Sequence, residues 1–252
     1  MGDNGKAEGW RQYPSAVAGE WDAFIDWKAR GRGEGDFFVR QLRRFKCRRV
    51  LDAACGTGYD SIRLLRQGFD VVSLDGSRQM LEAAGRNARS EGVALKAVHS
   101  DWREMGDAFS SGSFDAVLML GNSLTHLFER RDRELVLGKI HGLLRPRGIL
   151  LLDQRNYDMI LDIGYKSKHN YVYCGENFEV VPVVRTEELV RLGYFGKKAK
   201  WFFDLFPIRL AEIAANIRNS GFRRVETYGD FQRPFGKYDA DFLQHVAVKP
   251  NR

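Results

Sequence analysis

Apolar residues fall into two alternating patterns along the middle of the chain. Short unbroken runs such as Ala116-Val117-Leu118-Met119-Leu120 leave no polar position on either face, as in a strand buried on both sides of a parallel sheet. Between the runs, apolar positions return every third or fourth residue, as on one face of a helix. The spacing predicts strands at Arg49–Ala53, Asp70–Leu74, Ala94–His99, Phe114–Leu120 and Ile149–Asp153, with helices at Asp60–Gln67, Ser77–Ser90 and Arg131–Leu144. Ser77 is placed to cap its helix, and Arg145-Pro146-Arg147-Gly148 reads as a turn. Upstream, a helix is expected from Ala16 to Arg30, broken at Gly31-Arg32-Gly33-Glu34-Gly35, with Asp36 capping a second helix from Phe37 to Phe45.

Past Asp153 the pattern changes. Residues 154–206 are rich in Tyr, Phe and Val, with antiparallel strand signals at Asn177–Arg185 and Lys200–Leu205. A helix at Ile208–Ser220 and strands at Arg223–Tyr228 and Leu243–Val248 then restore the alternation. The expectation is an α/β fold, a doubly wound and mostly parallel seven-stranded sheet of Rossmann-like type with a small inserted element. Four segments are expected: an N-terminal lid at 1–35, a ligand-binding α/β core at 36–153, an inserted substrate or lid element at 154–206, and completion of the core at 207–252.

Ligands of open α/β sheets bind beyond the carboxyl ends of the strands. The first strand runs into Asp52-Ala53-Ala54-Cys55-Gly56-Thr57-Gly58, a loop of small residues that lets a ligand approach the backbone closely. The next strand closes on Asp75, placed to accept hydrogen bonds from ribose hydroxyls. A dinucleotide fingerprint fits less well, because the next glycine after Gly58 is Gly68, far down the helix. Asp101-Trp102, Gly121-Asn122-Ser123 and the stretch Asp153 to Asp158 carry polar residues at the remaining ends. Asp101 can accept from an exocyclic amine such as that of adenine, while Trp102 either stacks near the ring or packs in the core. Arg155 either captures a carboxylate bidentately or pairs with Asp158 at the surface.

Composition narrows the choice. The chain has 252 residues, 44% hydrophobic and 29% charged, as in an ordinary soluble globular protein. No apolar run approaches membrane-spanning length, and the polar start lacks an apolar signal core. Cys47, Cys55 and Cys174 have no metal-ligand spacing, so reduced thiols, no metal site and a cytoplasmic location are expected. Much of the +7 net charge lies in 40–49 and 196–200. In the first cluster Val39, Leu42 and Phe45 recur at helical spacing, which makes it the solvated face of an amphipathic helix rather than a nucleic-acid site.

The order Asp52-x-Ala54-x-Gly56-x-Gly58 resembles motif I of the class I S-adenosylmethionine (SAM) methyltransferases, with Ala54 where that motif often has glycine. Three stretches resemble glycine N-methyltransferase and the bacterial glycine/sarcosine methyltransferases more specifically: Arg49 to Ile62, Gly121-Asn122-Ser123-Leu124-Thr125-His126-Leu127, and Leu152 to Leu161 with its Arg155-Asn156-Tyr157-Asp158. The resemblance implies SAM as cofactor and S-adenosylhomocysteine as product. Tyr13, Trp21 and Arg30 match positions that close over SAM, Arg30 reaching its carboxylate. Ala54 matches the residue backing the cofactor, Asp75 the ribose acceptor, and Asp101-Trp102 the pair flanking adenine; Leu120 and His126 match the rest of that site. Asn122 and Arg155 match residues that hold the acceptor amino acid, Arg155 by its carboxylate, and Tyr194 matches a substrate-site tyrosine. In this reading Asn122, Arg155 and His126 carry catalysis, His126 by positioning rather than as a base.

The departures are Phe206 where some members have Tyr, a poorly matching segment at 160–200, and a pI of about 9.4 where members from salt-loving organisms are acidic. The expected activity is methyl transfer to the amine of a small amino acid, with a small-molecule acceptor, no nucleic acid and no membrane as partners; homo-oligomer formation stays open. The alternatives are a larger natural-product amine, a nucleic-acid methyltransferase, and a cofactor-sensing protein without turnover. Against the nucleic acid, the fourth strand ends in Gly-Asn-Ser-Leu rather than in Asn/Asp-Pro-Pro-aromatic.

Overall fold

A computed structural model describes residues 20–22, 24–164, 178–196 and 200–251. Seven strands form the main sheet: β1 (Arg49–Asp52), β2 (Asp70–Asp75), β3 (Lys96–His99), β4 (Phe114–Met119), β5 (Leu144–Arg155), β9 (Arg224–Gly229) and β10 (Phe242–Val248). Their order is β3-β2-β1-β4-β5-β10-β9, with β10 antiparallel to both neighbours and the other pairs parallel. The doubly wound, mostly parallel sheet expected from the alternation is therefore present. Val50, Leu51, Val117 and Leu118 are wholly buried because apolar layers cover both faces. On one face α2 (Phe37–Arg44) and α3 (Tyr59–Arg66) place Phe37, Phe38, Leu42 and Leu64 over Val50, Val71 and Leu118. On the other, α6 (Arg130–Leu143) and α8 (Leu210–Asn219) place Val136, Leu137, Ile213 and Ile217 over Leu51, Val117 and Leu150. Ser77 caps α4 (Arg78–Ser90) through the Met80 amide, as its position implied.

A second, three-stranded antiparallel sheet is built from β6 (Phe178–Arg185), β7 (Val190–Gly196) and β8 (Lys200–Leu205). Its inner face carries Val180, Leu192, Tyr194 and Phe203 against Phe24 and Ile25 of the N-terminal segment and Tyr157 and Ile160 of α7 (Tyr157–Asp162). The Phe206 amide donates to the Thr125 carbonyl at 2.7 Å and ties the end of β8 to the main sheet.

Several expectations are corrected. The break near the N-terminus falls at Asp26, which is left-handed (φ 46°) and caps α1 (Trp27–Glu34) through the Ala29 amide; that helix then runs through Gly31 and Gly33 and ends only at Gly35. The Asp36 side chain accepts no hydrogen bond from the first turn of α2; its carboxylate pairs instead with Arg63 at 3.0 Å. The stretch Arg145 to Gly148 is not a separate turn but the opening of β5, where the register slips between Phe114 and Ala116. A Cβ at Gly148 would stand 2.9 Å from the Arg145 carbonyl, so only glycine fits there. Strand β7 was not expected, since Arg191 and Gly193 interrupt its apolar pattern.

His245 lies wholly buried on β10, with Nδ1 3.0 Å from the Thr227 hydroxyl. Burial disfavours its cation and pulls its pKa from 6.5 to about 4. The unfolded chain therefore binds a proton between those values that the folded chain refuses, and stability from this group is lost as pH falls below 6.5. Glu34 and Asp52, pushed up by burial, slope the other way, so the comparison must be made between variants. The free-energy difference between His245→Gln and the parent should move in favour of the variant by up to about 1.4 kcal/mol per pH unit from 6.5 to 5, as read by denaturant unfolding.

Candidate functional site

At the carboxyl ends of the parallel strands lies a cavity of about 270 Å³. The main sheet supplies one wall and the second sheet, with Tyr194, Phe203 and Leu205, another; Trp21, Phe24, Ile25 and Arg30 cover it from the N-terminal side. Among the residues singled out in the sequence, Trp21, Arg30, Ala54, Gly56, Asp75, Asp101, Trp102, Leu120, Asn122, His126, Arg155 and Tyr194 line it. Tyr13 lies outside the described residues.

Two singled-out residues do not reach the cavity. The Asp52 carboxylate turns inward beneath α3, where Ser61 donates to it at 2.7 Å and Ser73 donates in turn to Ser61 at 2.7 Å. Burial and nearby Asp60 push Asp52 up to about 7. Gly58 begins α3 with φ 95°, and a Cβ there would lie 3.1 Å from that of Ala84; it sets the packing of α3 against α4 and does not line the cavity. Gly56 (φ 52°) is the glycine that leaves bare backbone at the cavity wall.

Asp75 is held in advance. The Gly56 amide donates to one carboxylate oxygen at 2.8 Å and the Ser77 amide to the other at 2.9 Å. Burial raises its pKa, and those two donors pull against the rise. Asp101 is chelated by Arg103, whose backbone amide and Nε reach one oxygen and whose Nη2 reaches the other, at 2.8–2.9 Å. That guanidinium keeps the acid ionised, its pKa below the usual value, against burial. Arg103 also stands 3.5 Å from Asp132 of α6 and joins the segment after β3 to that helix. Trp102 packs against the core, fixed by Nε1 on the Ala53 carbonyl at 2.6 Å, and it also lines the cavity.

Arg30 is buried at the opposite end. Its Nε pairs with Glu34 at 2.5 Å, its Nη2 with Asp60 at 2.6 Å, and its guanidinium lies 4.2 Å over the Tyr59 ring. Glu34 is wholly enclosed, and burial pushes it up to about 7 although Arg30 and Arg63 both pull it down. Arg155 ends β5, 2% exposed, with its guanidinium 4.7 Å over Phe242, the residue paired with it across the antiparallel ladder. Asp158, the alternative partner of Arg155, is engaged by Arg209 at 3.2 Å and by the Leu210 amide at 2.8 Å. Asn122 is left-handed (φ 65°), a conformation asparagine tolerates, and its amide donates to Asp153 at 3.0 Å. His126 is buried and neutral, its pKa pulled down to about 4 by desolvation, so it offers the cavity an uncharged ring. Tyr194 packs edge-on against Phe24 (4.8 Å) and Phe203 (5.1 Å).

Sequence reasoning missed Tyr59, Phe203 and Phe242 as cavity residues. Phe242 had a signal: it opens the strand that pairs with the Arg155 end of β5. Phe203 lies on the expected strand at Lys200–Leu205, but without β7 the sequence does not show which face of that strand turns inward. Phe206, the departure at 206, does not line the cavity and instead covers the buried Arg133 guanidinium at 4.0 Å. Among the described residues there is no cluster able to hold a metal ion.

The fold matches solved structures across nearly its whole length. A SAM-dependent methyltransferase from Clostridium acetobutylicum superposes with a TM-score of 0.71 at 15% identity, over 93% of this chain and 98% of that one. A family model described as a methyltransferase domain matches residues 50–148, the stretch holding the glycine loop, Asp75 and Asn122. Together with the relatives below, these define the class as SAM-dependent methyltransferases. The glycine/sarcosine N-methyltransferase of Halorhodospira halochloris is 44% identical over 96% of this chain and 90% of its own length. The glycine N-methyltransferase of Rattus norvegicus is 37% identical, over 94% and 92% respectively. The chain belongs to the glycine and glycine/sarcosine N-methyltransferase family and is a SAM-dependent N-methyltransferase.

The cavity fits that cofactor on its own terms. A preset buried acid, bare backbone at Gly56 and an ionised Asp101 beside an indole could hold an adenosine; Arg30, although paired with Glu34 and Asp60, lines the same cavity.

Proposed function

We propose that this protein methylates the amine of glycine and sarcosine. The observation that carries the reading is Arg155, a buried guanidinium set on an aromatic ring at the end of β5, in the same cavity as the glycine loop and Asp75. A planar fork in that place suits a carboxylate held by two parallel hydrogen bonds. The acceptor's carboxylate then faces Arg155, while its amine sits among Tyr194, Phe203 and the uncharged His126. Bound SAM supplies an electrophilic methyl group on a sulfonium. The chain's own contribution is positioning and exclusion of water. Holding two reactants in line is worth up to about 7–11 kcal/mol in favourable intramolecular systems.

In the same reading Asp75 accepts from the ribose, Asp101 and Trp102 flank the base, Ala54 and Gly56 back the nucleoside, and Trp21 and Arg30 close over the amino-acid end. Leu120 and His126 complete that wall, and Asn122 and Tyr194 belong to the acceptor side. Residues before 36 act as a lid and 154–206 as the acceptor-side element. We place the reaction in the cytoplasm: Cys47 and Cys55 are free thiols, and no helix among the described residues is long and apolar enough to cross a membrane.

A panel of glycine, sarcosine, dimethylglycine, other amino acids, glycinamide and RNA, assayed with SAM and read by mass spectrometry, tests the proposal. Glycine and sarcosine should accept methyl groups, glycinamide poorly, and RNA not at all. Preference for glycinamide over glycine would overturn it.

A further inference from the structure

Beneath the acceptor end of the cavity a buried polar chain runs from Asn122 to Tyr157 and Thr125, two residues to which the proposed reaction gives no role. The Asn122 side chain does not face outward. Its Oδ1 accepts from the Arg155 backbone amide at 2.9 Å, and its Nδ2 donates to the Tyr157 hydroxyl at 2.9 Å. The amide orientation is thereby fixed, because a flipped Nδ2 would point at another N–H donor. The Tyr157 oxygen accepts from Nδ2, so its own proton goes to Asn122 Oδ1 at 3.2 Å or Thr125 Oγ1 at 3.4 Å. Thr125 spends its proton on the Asn122 carbonyl at 2.6 Å, which leaves its oxygen free to accept. The Asn122 backbone amide donates to Asp153 at 3.0 Å. One Nδ2 hydrogen, the Tyr157 and Thr125 hydroxyls and the Asn122 and Arg155 backbone amides thus each have an acceptor, and Tyr157, 0% exposed, is where the chain turns back on itself.

The geometry points to Tyr157 as a positioning residue for acceptor binding, acting through Asn122 to fix the backbone from which Arg155 projects. Phe242 supports the guanidinium from below at 4.7 Å and pairs with Arg155 across the β5–β10 ladder, which holds one edge of the strand; on the other edge the Arg155 backbone amide is held by Asn122 Oδ1. A buried polar network of this kind holds one geometry only when every member is satisfied. Removal of the Tyr157 hydroxyl leaves the Asn122 Nδ2 without that acceptor in a dry interior, and the amide then turns to seek another. Arg155 shifts with it, and the carboxylate grip loosens while the cofactor side of the cavity, held by Asp75 and Asp101, is untouched.

The inference rests on the proposal that Arg155 grips the acceptor carboxylate, and the experiment separates the two. Tyr157→Phe, Thr125→Val and Arg155→Ala are compared with the parent for glycine kinetics, inhibition by acetate (a carboxylate without an amine) and SAM affinity by calorimetry. Tyr157→Phe should raise the glycine KM and the acetate inhibition constant by the same factor, about tenfold, as expected for one buried hydrogen bond lost. Its SAM dissociation constant should stay within twofold and kcat at saturating glycine should change less than KM. Thr125→Val, which removes the other partner of the Tyr157 hydroxyl, should shift the same two constants in the same direction. It keeps the question answerable if the phenylalanine variant does not fold. Unchanged glycine and acetate constants in Tyr157→Phe, with Arg155→Ala impaired, would overturn the inference alone. Equal losses of glycine and SAM binding would also overturn it, by making Tyr157 a general structural residue. Normal glycine binding by Arg155→Ala would instead remove the acceptor reading on which it stands.

Discussion

Arg155→Ala should raise the glycine KM by about two orders of magnitude or abolish turnover, with SAM affinity close to that of the parent. Arg155 is 2% exposed and its guanidinium lies over Phe242, so alanine leaves a gap in the cavity wall, and water entering it cannot replace the lost positive charge. A carboxylate then enters a buried site without its counter-charge, which costs roughly 2–5 kcal/mol. Arg155→Lys should fare little better. A lysine ammonium keeps the charge but cannot present two parallel donors, and it loses the flat face that stacks on Phe242. The two variants separate charge from shape: rescue by lysine would mean that Arg155 acts as a point charge. Glycinamide should be the one acceptor on which parent and Arg155→Ala differ least. Steady-state kinetics with both acceptors, and calorimetry with SAM, check the prediction. Normal methylation of glycine by Arg155→Ala would mean that another group holds the acceptor carboxylate.

Much of the architecture could be read from the chain because the main sheet is covered on both faces. Such strands leave unbroken apolar runs like that of β4, and the carboxyl ends of the strands then mark where polar residues must gather. Asn122 follows that run, and Asp75, Asp101 and Arg155 stand at or just beyond the ends of β2, β3 and β5; all four reach one cavity. Side-chain direction at those ends was not legible. Asp52 ends its strand as Asp75 does, yet it turns under α3 to Ser61, because the facing helix offers a hydroxyl at the right height. The sequence places Asn122 beside the acceptor but cannot show that its amide is committed to Tyr157 and the Arg155 backbone. The second sheet was only half visible. It buries one face, so β7 alternates and is interrupted by Gly193, whose Cβ would stand 2.7 Å from the Phe195 ring. Near the N-terminus, the glycines of Gly31 to Gly35 suggested a break that packing overrode. Arg30 and Glu34 lie four apart on one helical face, and their buried pair requires the turn that contains Gly31 and Gly33 to stay helical.

Asp75→Ala should weaken SAM binding by two orders of magnitude or more, a loss that acceptor concentration cannot repair. In the proposed site Asp75 accepts from two ribose hydroxyls, and each charge-assisted bond is worth about 1.5–3 kcal/mol. A second loss adds to the first. The same carboxylate holds the Gly56 and Ser77 amides, so its removal releases the glycine loop that shapes the cofactor's wall. Those amides are then satisfied by water or by a shifted loop, and either outcome spoils the bare backbone surface at Gly56. Asp75→Asn divides the two contributions. Its carbonyl oxygen can keep one amide and one hydroxyl, while its NH2 group faces the other amide as a second donor, so its affinity should fall between those of alanine and the parent. Calorimetry with SAM and with S-adenosylhomocysteine measures the loss, and circular dichroism checks that the sheet is intact. The split from Arg155 is the sharper test. Asp75 variants should lose both nucleosides and show a glycine KM that recovers at saturating SAM, whereas Arg155 variants should keep both nucleosides and lose glycine. Unchanged SAM affinity in Asp75→Ala would move the nucleoside to another part of the cavity, and the roles proposed for Gly56, Asp101 and Trp102 would move with it.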